Sequence, residues 1–97
     1  MHEWNENIGW VDIFSGDCFS GEMHRLRASN AARPKEFRGE KLPRVRSIIV
    51  GPNALLKVSH HGKSKAVTLS PRTILKDAAH LVIAKEKMKL VVESVRT

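Results

Sequence analysis

The residue types in this chain that could do chemistry are its histidines, its one cysteine and a large surplus of cations. His60 and His61 are adjacent in the run HHGKS, while His24 and His80 lie far off in sequence. Neighbouring side chains of an extended segment point to opposite faces. With no H-x-H, no H-E-x-x-H and no cysteine pair, nothing supplies zinc ligands at short range. The spacing reads as solvated turn histidines, and a zinc site would need folding to bring His24 or His80 beside them. Cys18, alone in a hairpin loop, reads as an inert thiol rather than a nucleophile. Ser15, Ser20, Ser47 and Ser59 suit turns and packing, and no base or orienting group stands at motif spacing from any of them. A glycine-rich phosphate loop is absent, as are paired carboxylates near an apolar pocket signal. The expectation is a non-enzyme with no cofactor, no metal and no evident small-molecule substrate.

The cations carry the clearest chemical signal. The formal net charge is +7, from 17 Lys and Arg against 10 Asp and Glu. Residues 1–24 hold five of those acids and no Lys or Arg, so every cation lies after position 24. Such a field attracts polyanions over roughly a Debye length. Arg25, Arg27, Arg33, Lys35, Arg38, Lys41, Arg44 and Arg46 follow one another with only Glu36 and Glu40 between them, and Phe37 sits inside the cluster. Clustered cations with an aromatic for base stacking are what phosphate-backbone recognition uses. Lys85, Lys87 and Lys89 form a second cluster that reads either as charge protecting the edge of a final strand or as a further polyanion contact. Phe37 reads as a loop anchor tucked onto the core, with exposure at a contact surface as the alternative.

The elements that must position these residues are short and mostly β. Ninety-seven residues make one domain. No apolar run approaches the roughly 18–20 residues of a membrane span. The start MHEWNENIGW lacks the basic and apolar regions of a signal peptide. One cysteine excludes an internal disulfide and suits a reducing compartment, so the expected location is cytoplasmic. Residues 1–9 read as a loosely held lead-in with Trp4 as its anchor. Trp10–Arg27 reads as a hairpin doubled back at Gly21, with Val11 and Ile13 facing inward. Ala28–Leu42 reads as a long loop. Arg44–Val50 is a strand of β-branched residues ended by Gly51-Pro52-Asn53. Ala54–Ser59 and Lys65–Leu69 read as a second hairpin, with Val67 and Leu69 inward. Ser70-Pro71 is a helix-start signal, and Ile74, Leu75, Ala78 and Leu81 at helical spacing predict a short helix over about 71–79. Met88–Val95 alternates as a closing strand.

Phe14, Phe19 and Gly21, spaced aromatic-x4-aromatic-x-glycine, resemble the signature hairpin of the βγ-crystallin family. Ser47 falls where that family keeps a serine packed near the hairpin. The element order, two hairpins each followed after a long connection by a further strand, describes two Greek-key motifs, residues 10–50 and 54–95. The fold is then all-β with one short helix, and the resemblance implies that the two motifs form a βγ-crystallin-like β-sandwich. In the second half only the hydrophobic skeleton is similar. The family binds calcium through a segment Asn/Asp-Asn/Asp-x-x-Ser/Thr-Ser in each motif. Here those segments align with Leu42-Pro43-Arg44-Val45-Arg46-Ser47 and Ala84-Lys85-Glu86-Lys87-Met88-Lys89. Calcium needs six to eight oxygens, several of them carboxylate. Apolar groups and cations stand in their place, so the resemblance implies a fold without its calcium.

Two functional readings follow. The first is a non-catalytic binding or structural module of βγ-crystallin-like fold whose partner is a protein or a second copy of the chain. The second is a small basic β-domain that binds RNA or DNA through residues 25–46 and 85–89.

Overall fold

The structure, a computed structural model, describes residues 8–30, 33–62, 66–81 and 85–95. Eight strands form two four-stranded antiparallel sheets that pack as a β-sandwich. The strands are β1 (Trp10–Phe14), β2 (Met23–Arg27), β3 (Lys35–Arg38), β4 (Ser47–Val50), β5 (Ala54–His60), β6 (Val67–Leu69), β7 (Ile74–Leu75) and β8 (Met88–Ser94). The first sheet has the order β2-β1-β4-β7 and the second β3-β8-β5-β6. The first four strands build most of one sheet and the last four most of the other. In each half, however, it is the third strand, β3 or β7, that crosses to the opposite sheet.

Strand alternation explains the core. Val11 and Ile13 of β1 and Ile48 and Val50 of β4 point in from one sheet. Leu56 and Val58 of β5, with Leu90 and Val92 of β8, meet them from the other, and none of the eight is more than 2% exposed. Each contributes on the order of 1.5–3 kcal/mol by leaving water. Of the residues between them only Lys57 is exposed. Ile49 and Val91 are half-buried and Asp12 is buried, so the outer faces are only partly wetted.

Four expectations need correction. The stretch 28–42 is not one long loop, since Lys35–Arg38 forms β3 on an outer edge of the second sheet. Lys35, Glu36 and Arg38 are exposed and Phe37 is half-buried against the core, so charges on an edge strand hid its alternation. Residues 71–79 form no α-helix. Thr73 N–H donates to Ser70 O at 3.3 Å, with Pro71 second in the turn and Arg72 third at φ 67°, the pattern of a type II turn. Ile74–Leu75 then pairs with β4 as β7, and the only helical turns among the described residues are 3-10. Lys85–Lys89 does not line an edge. β8 lies between β3 and β5, and Lys85 and Lys87 precede it in a 3-10 turn, Lys85–Lys87. Val67 stands on the edge strand β6 and is exposed rather than buried.

Gly9 closes the amino-terminal side more firmly than a loose lead-in would. It is buried, and its N–H donates to Ser94 Oγ at 2.7 Å. Trp4 lies outside the described residues. Among the described residues no helix is long and apolar enough to cross a membrane.

Candidate functional site

The doubled-back hairpin holds Phe14, Phe19 and Gly21, three of the four residues on which the resemblance rests, and the fourth, Ser47 of β4, packs against it. Gly21 has φ 78°, a conformation open to glycine at no steric cost, and a Cβ there would run into Ser15 Oγ. Ser15 N–H donates to Glu22 O at 3.0 Å and Gly16 N–H to Ser20 O at 2.9 Å, which draws the loop back over β1. Phe14 and Phe19 then meet edge to face, with ring centroids 5.6 Å apart. Ser47 is fully buried at the start of β4. Its hydroxyl donates to Gly16 O at 2.6 Å and accepts from Phe19 N–H at 3.0 Å. Phe19, and Cys18, whose N–H donates to Lys76 O at 2.9 Å, take left-handed conformations, φ 61° and 52°, which are costly outside glycine. Cys18 is exposed.

The cations divide between two places. On the first sheet Arg25 forms a two-pronged ion pair with Asp12, Nε to Oδ1 at 2.7 Å and Nη2 to Oδ2 at 3.0 Å. It also lies over the Trp10 ring at 4.1 Å. The hydrogen bond to Asp12 above all raises the guanidinium pKa above its ordinary value. Arg25 is thus committed within the molecule. Arg27 is exposed beside it on β2, directly across from Trp10. Arg46 is half-buried, with a buried Nε that has no hydrogen-bond partner among the described residues.

At one end of the second sheet the two basic stretches meet. β3 pairs with β8 so that Arg38 stands opposite Lys89, and Ser59 of β5 stands on the other side of Lys89. Directly paired positions share a face, so two cations and a hydroxyl form one row across three strands. The 3-10 turn Gly39–Lys41, which follows β3, contacts the turn Lys85–Lys87, which precedes β8. Between them lies a cavity of about 500 Å³, lined by Arg38, Lys87 and Lys89, by Ser59, His60 and His61, and by Glu40, Glu86 and Met88. A smaller cavity of about 320 Å³ adjoins it through Arg38, with Glu36, Phe37, Lys41 and Leu42.

The electrostatics of this end are open rather than locked. Arg38 reaches Glu40 at 3.8 Å and Lys89 reaches Glu36 at 3.2 Å, and all four side chains are about half exposed or more. Exposed pairs of this kind are worth about 0–1 kcal/mol, so an arriving anion can recruit both cations at little cost. His61 N–H donates to Lys87 O at 2.8 Å, which ties the end of β5 to the turn before β8. His60 Nε2 is buried without a hydrogen-bond partner among the described residues.

Of the residues singled out in the sequence, folding brings Phe37, Arg38, Lys41, Lys87 and Lys89 to this end, along the two cavities. Lys35 lies over the Phe37 ring at 5.6 Å. Arg33 and Arg44 are exposed on either side of β3 in the chain, lining neither cavity. The backbone of Lys85 lies in the turn beside the larger cavity, and its side chain is outside the described residues. Sequence reasoning missed Ser59, His60, Glu40 and Glu86 as lining residues, because which strands pair is not written in local spacing. His24 sits on β2 near Glu22 at 3.6 Å, and His80 is exposed, so neither joins His60 and His61. Among the described residues no three of His, Cys, Asp and Glu are grouped to hold a metal ion. No family model matches the chain, and no curated protein matches it either.

Proposed function

We propose that this chain is a non-catalytic binding module on a βγ-crystallin-like fold, and that it contacts the phosphate backbone of RNA or DNA with the end of its second sheet. One observation carries the ligand class: the β3–β8 register gathers Arg38, Lys87 and Lys89, from stretches nearly fifty residues apart, around one cavity. Phe37 and Lys41 extend the same surface and supply a ring and a further charge.

The family reading is supported by the exchange of the third strand of each half, two Greek keys interlocked, and by the Phe14, Phe19 and Gly21 hairpin held by Ser47 of β4. In that reading calcium binding has been lost. Arg46 places a cation within the segment where ligands would gather, and its Nε is buried there without a hydrogen-bond partner among the described residues.

The test is binding of a labelled oligonucleotide across a salt series. Affinity falls linearly with the logarithm of salt concentration, and neutralising Arg38 and Lys89 together makes the slope shallower by about 2. No binding at low salt removes this ligand. It would favour a second reading, a protein partner or a second copy of the chain. That reading is supported by Ile74, 61% exposed on the two-residue edge strand β7, and by Met23, 50% exposed on β2 at the opposite edge of the same sheet.

A further inference from the structure

We infer that two copies of this chain join along the β6–β7 side of the sandwich, β6 pairing antiparallel with β6 of the second copy about a two-fold axis at Thr68. The four edge strands are not equally guarded. β2 carries His24, Arg25 and Arg27, and β3 carries Lys35, Glu36 and Arg38, the kind of charge that keeps a sheet edge from pairing further. β6 (Val67, Thr68, Leu69) and β7 (Ile74, Leu75) carry none. These two edges lie on one side of the molecule, one in each sheet, since β4 packs on β5 and the turn Ser70–Thr73 joins β6 to β7.

Exposure singles out the same side. Val67 pairs with Val58, and Leu69 with Leu56, so both point to the core layer beside residues no more than 2% exposed. Val67 is nevertheless 42% exposed, because β6 is hydrogen-bonded to β5 on one side and to no described strand on the other. A second β6, overlapped in full, sets Val67 beside the partner's Leu69 on that inner side and the two Thr68 residues beside each other on the outer one. Ile74, 61% exposed, stands on the other unguarded edge of the same seam.

Charge and symmetry name the occupant. A chain of net charge +7 approaches its own copy at least Coulombic cost where the meeting strands carry no cation. An antiparallel edge is also its own complement about a two-fold axis. Three paired residues and a few apolar side chains bury little area, so the dimer is weak and reversible. The axis crosses the sheet, which leaves both Arg38–Lys89–Ser59 rows on one continuous face. β8 and its symmetry mate then stand five strand spacings, or roughly 24 Å, apart. Under the phosphate reading, on which the dimer itself does not depend, one oligonucleotide can engage both rows.

The experiment is sedimentation equilibrium of the full chain without nucleic acid, from about 1 µM to about 1 mM, the range of transient interfaces. The mass is expected to rise from monomer to dimer and no further. Thr68→Lys sets two ammonium groups side by side at the axis and should weaken the dimer about tenfold. Met23→Lys, on the guarded β2 edge, should leave it unchanged. Both positions are exposed, and urea unfolding at about 1 µM checks that each variant folds as the parent does. A monomer at every concentration overturns the inference. So does a mass that climbs past the dimer, or a dimer that Thr68→Lys leaves intact. A dimer that binds no oligonucleotide leaves the inference standing and removes the phosphate reading.

Discussion

Ser47 shows how much a small polar residue can decide. Its hydroxyl serves Gly16 O and Phe19 N–H at once, in a position with no solvent access. Ser47→Ala leaves both backbone groups short of a partner, and a loss of about 1–3 kcal/mol in denaturant unfolding is expected. Gly21→Ala forces a Cβ toward Ser15 Oγ and to within 3.0 Å of Gly16 N at φ 78°, so it too should destabilise, by about 1–2 kcal/mol. Retention of full stability in either variant would show that the hairpin is not held as described. Arg25 makes a different kind of prediction. Folding raises its pKa, so the Asp12 pair contributes fully below the unfolded value and fades only as pH rises through the higher folded one. Stability lost in Arg25→Gln should therefore be the same at neutral pH as at about pH 10. Gly21, Phe14, Phe19 and Ser47 were legible from sequence because a turn glycine, paired aromatics and a packed serine each have few uses. Arg25 was not, since it read as a polyanion contact and its pairing with Asp12 depends on the register of β1 and β2.

At the scale of elements, the turn after Ser70 separates two readings by the sign of one measurement. In a helix Arg72→Gly would cost about 1 kcal/mol. In a turn where Arg72 sits at φ 67°, the same change relieves left-handed strain and should gain about 0.5–1 kcal/mol. The helical spacing of Ile74, Leu75, Ala78 and Leu81 was real but irrelevant. Val50 N–H donates to Thr73 O at 2.8 Å, and Ala78 N–H donates to Arg46 O at 2.7 Å, so β4 and its approach claim the backbone instead. β3 escaped notice for the opposite reason. Its side chains are nearly all wet, and an edge strand guarded by charges has no apolar period to read. β1, β4, β5 and β8 were legible because each buries one face completely, and burial is what writes a two-residue period into a sequence.

For the molecule as a whole, charge distribution was visible in the sequence but charge placement was not. The strand pairing that sets Arg38 beside Lys89 leaves Arg25 tied to Asp12 on the first sheet, so stretches that look alike in composition differ in availability. Calcium titration should give no heat of binding in the micromolar range, because the candidate ligand segments offer cations where carboxylates are needed. Oligonucleotide affinity should collapse between low and moderate salt if the phosphate reading is right. The crossing of β3 and β7 reaches further than the site. Most stabilising contacts join residues far apart in the chain, and such topologies form on the scale of milliseconds to seconds rather than microseconds. A chain nicked near Pro52 would yield two peptides, each missing the strand that closes its own layer and each carrying the piece the other lacks. Apart, they should be unstructured; mixed, they should reconstitute one folded particle, as two halves of a clasp do only in each other's company.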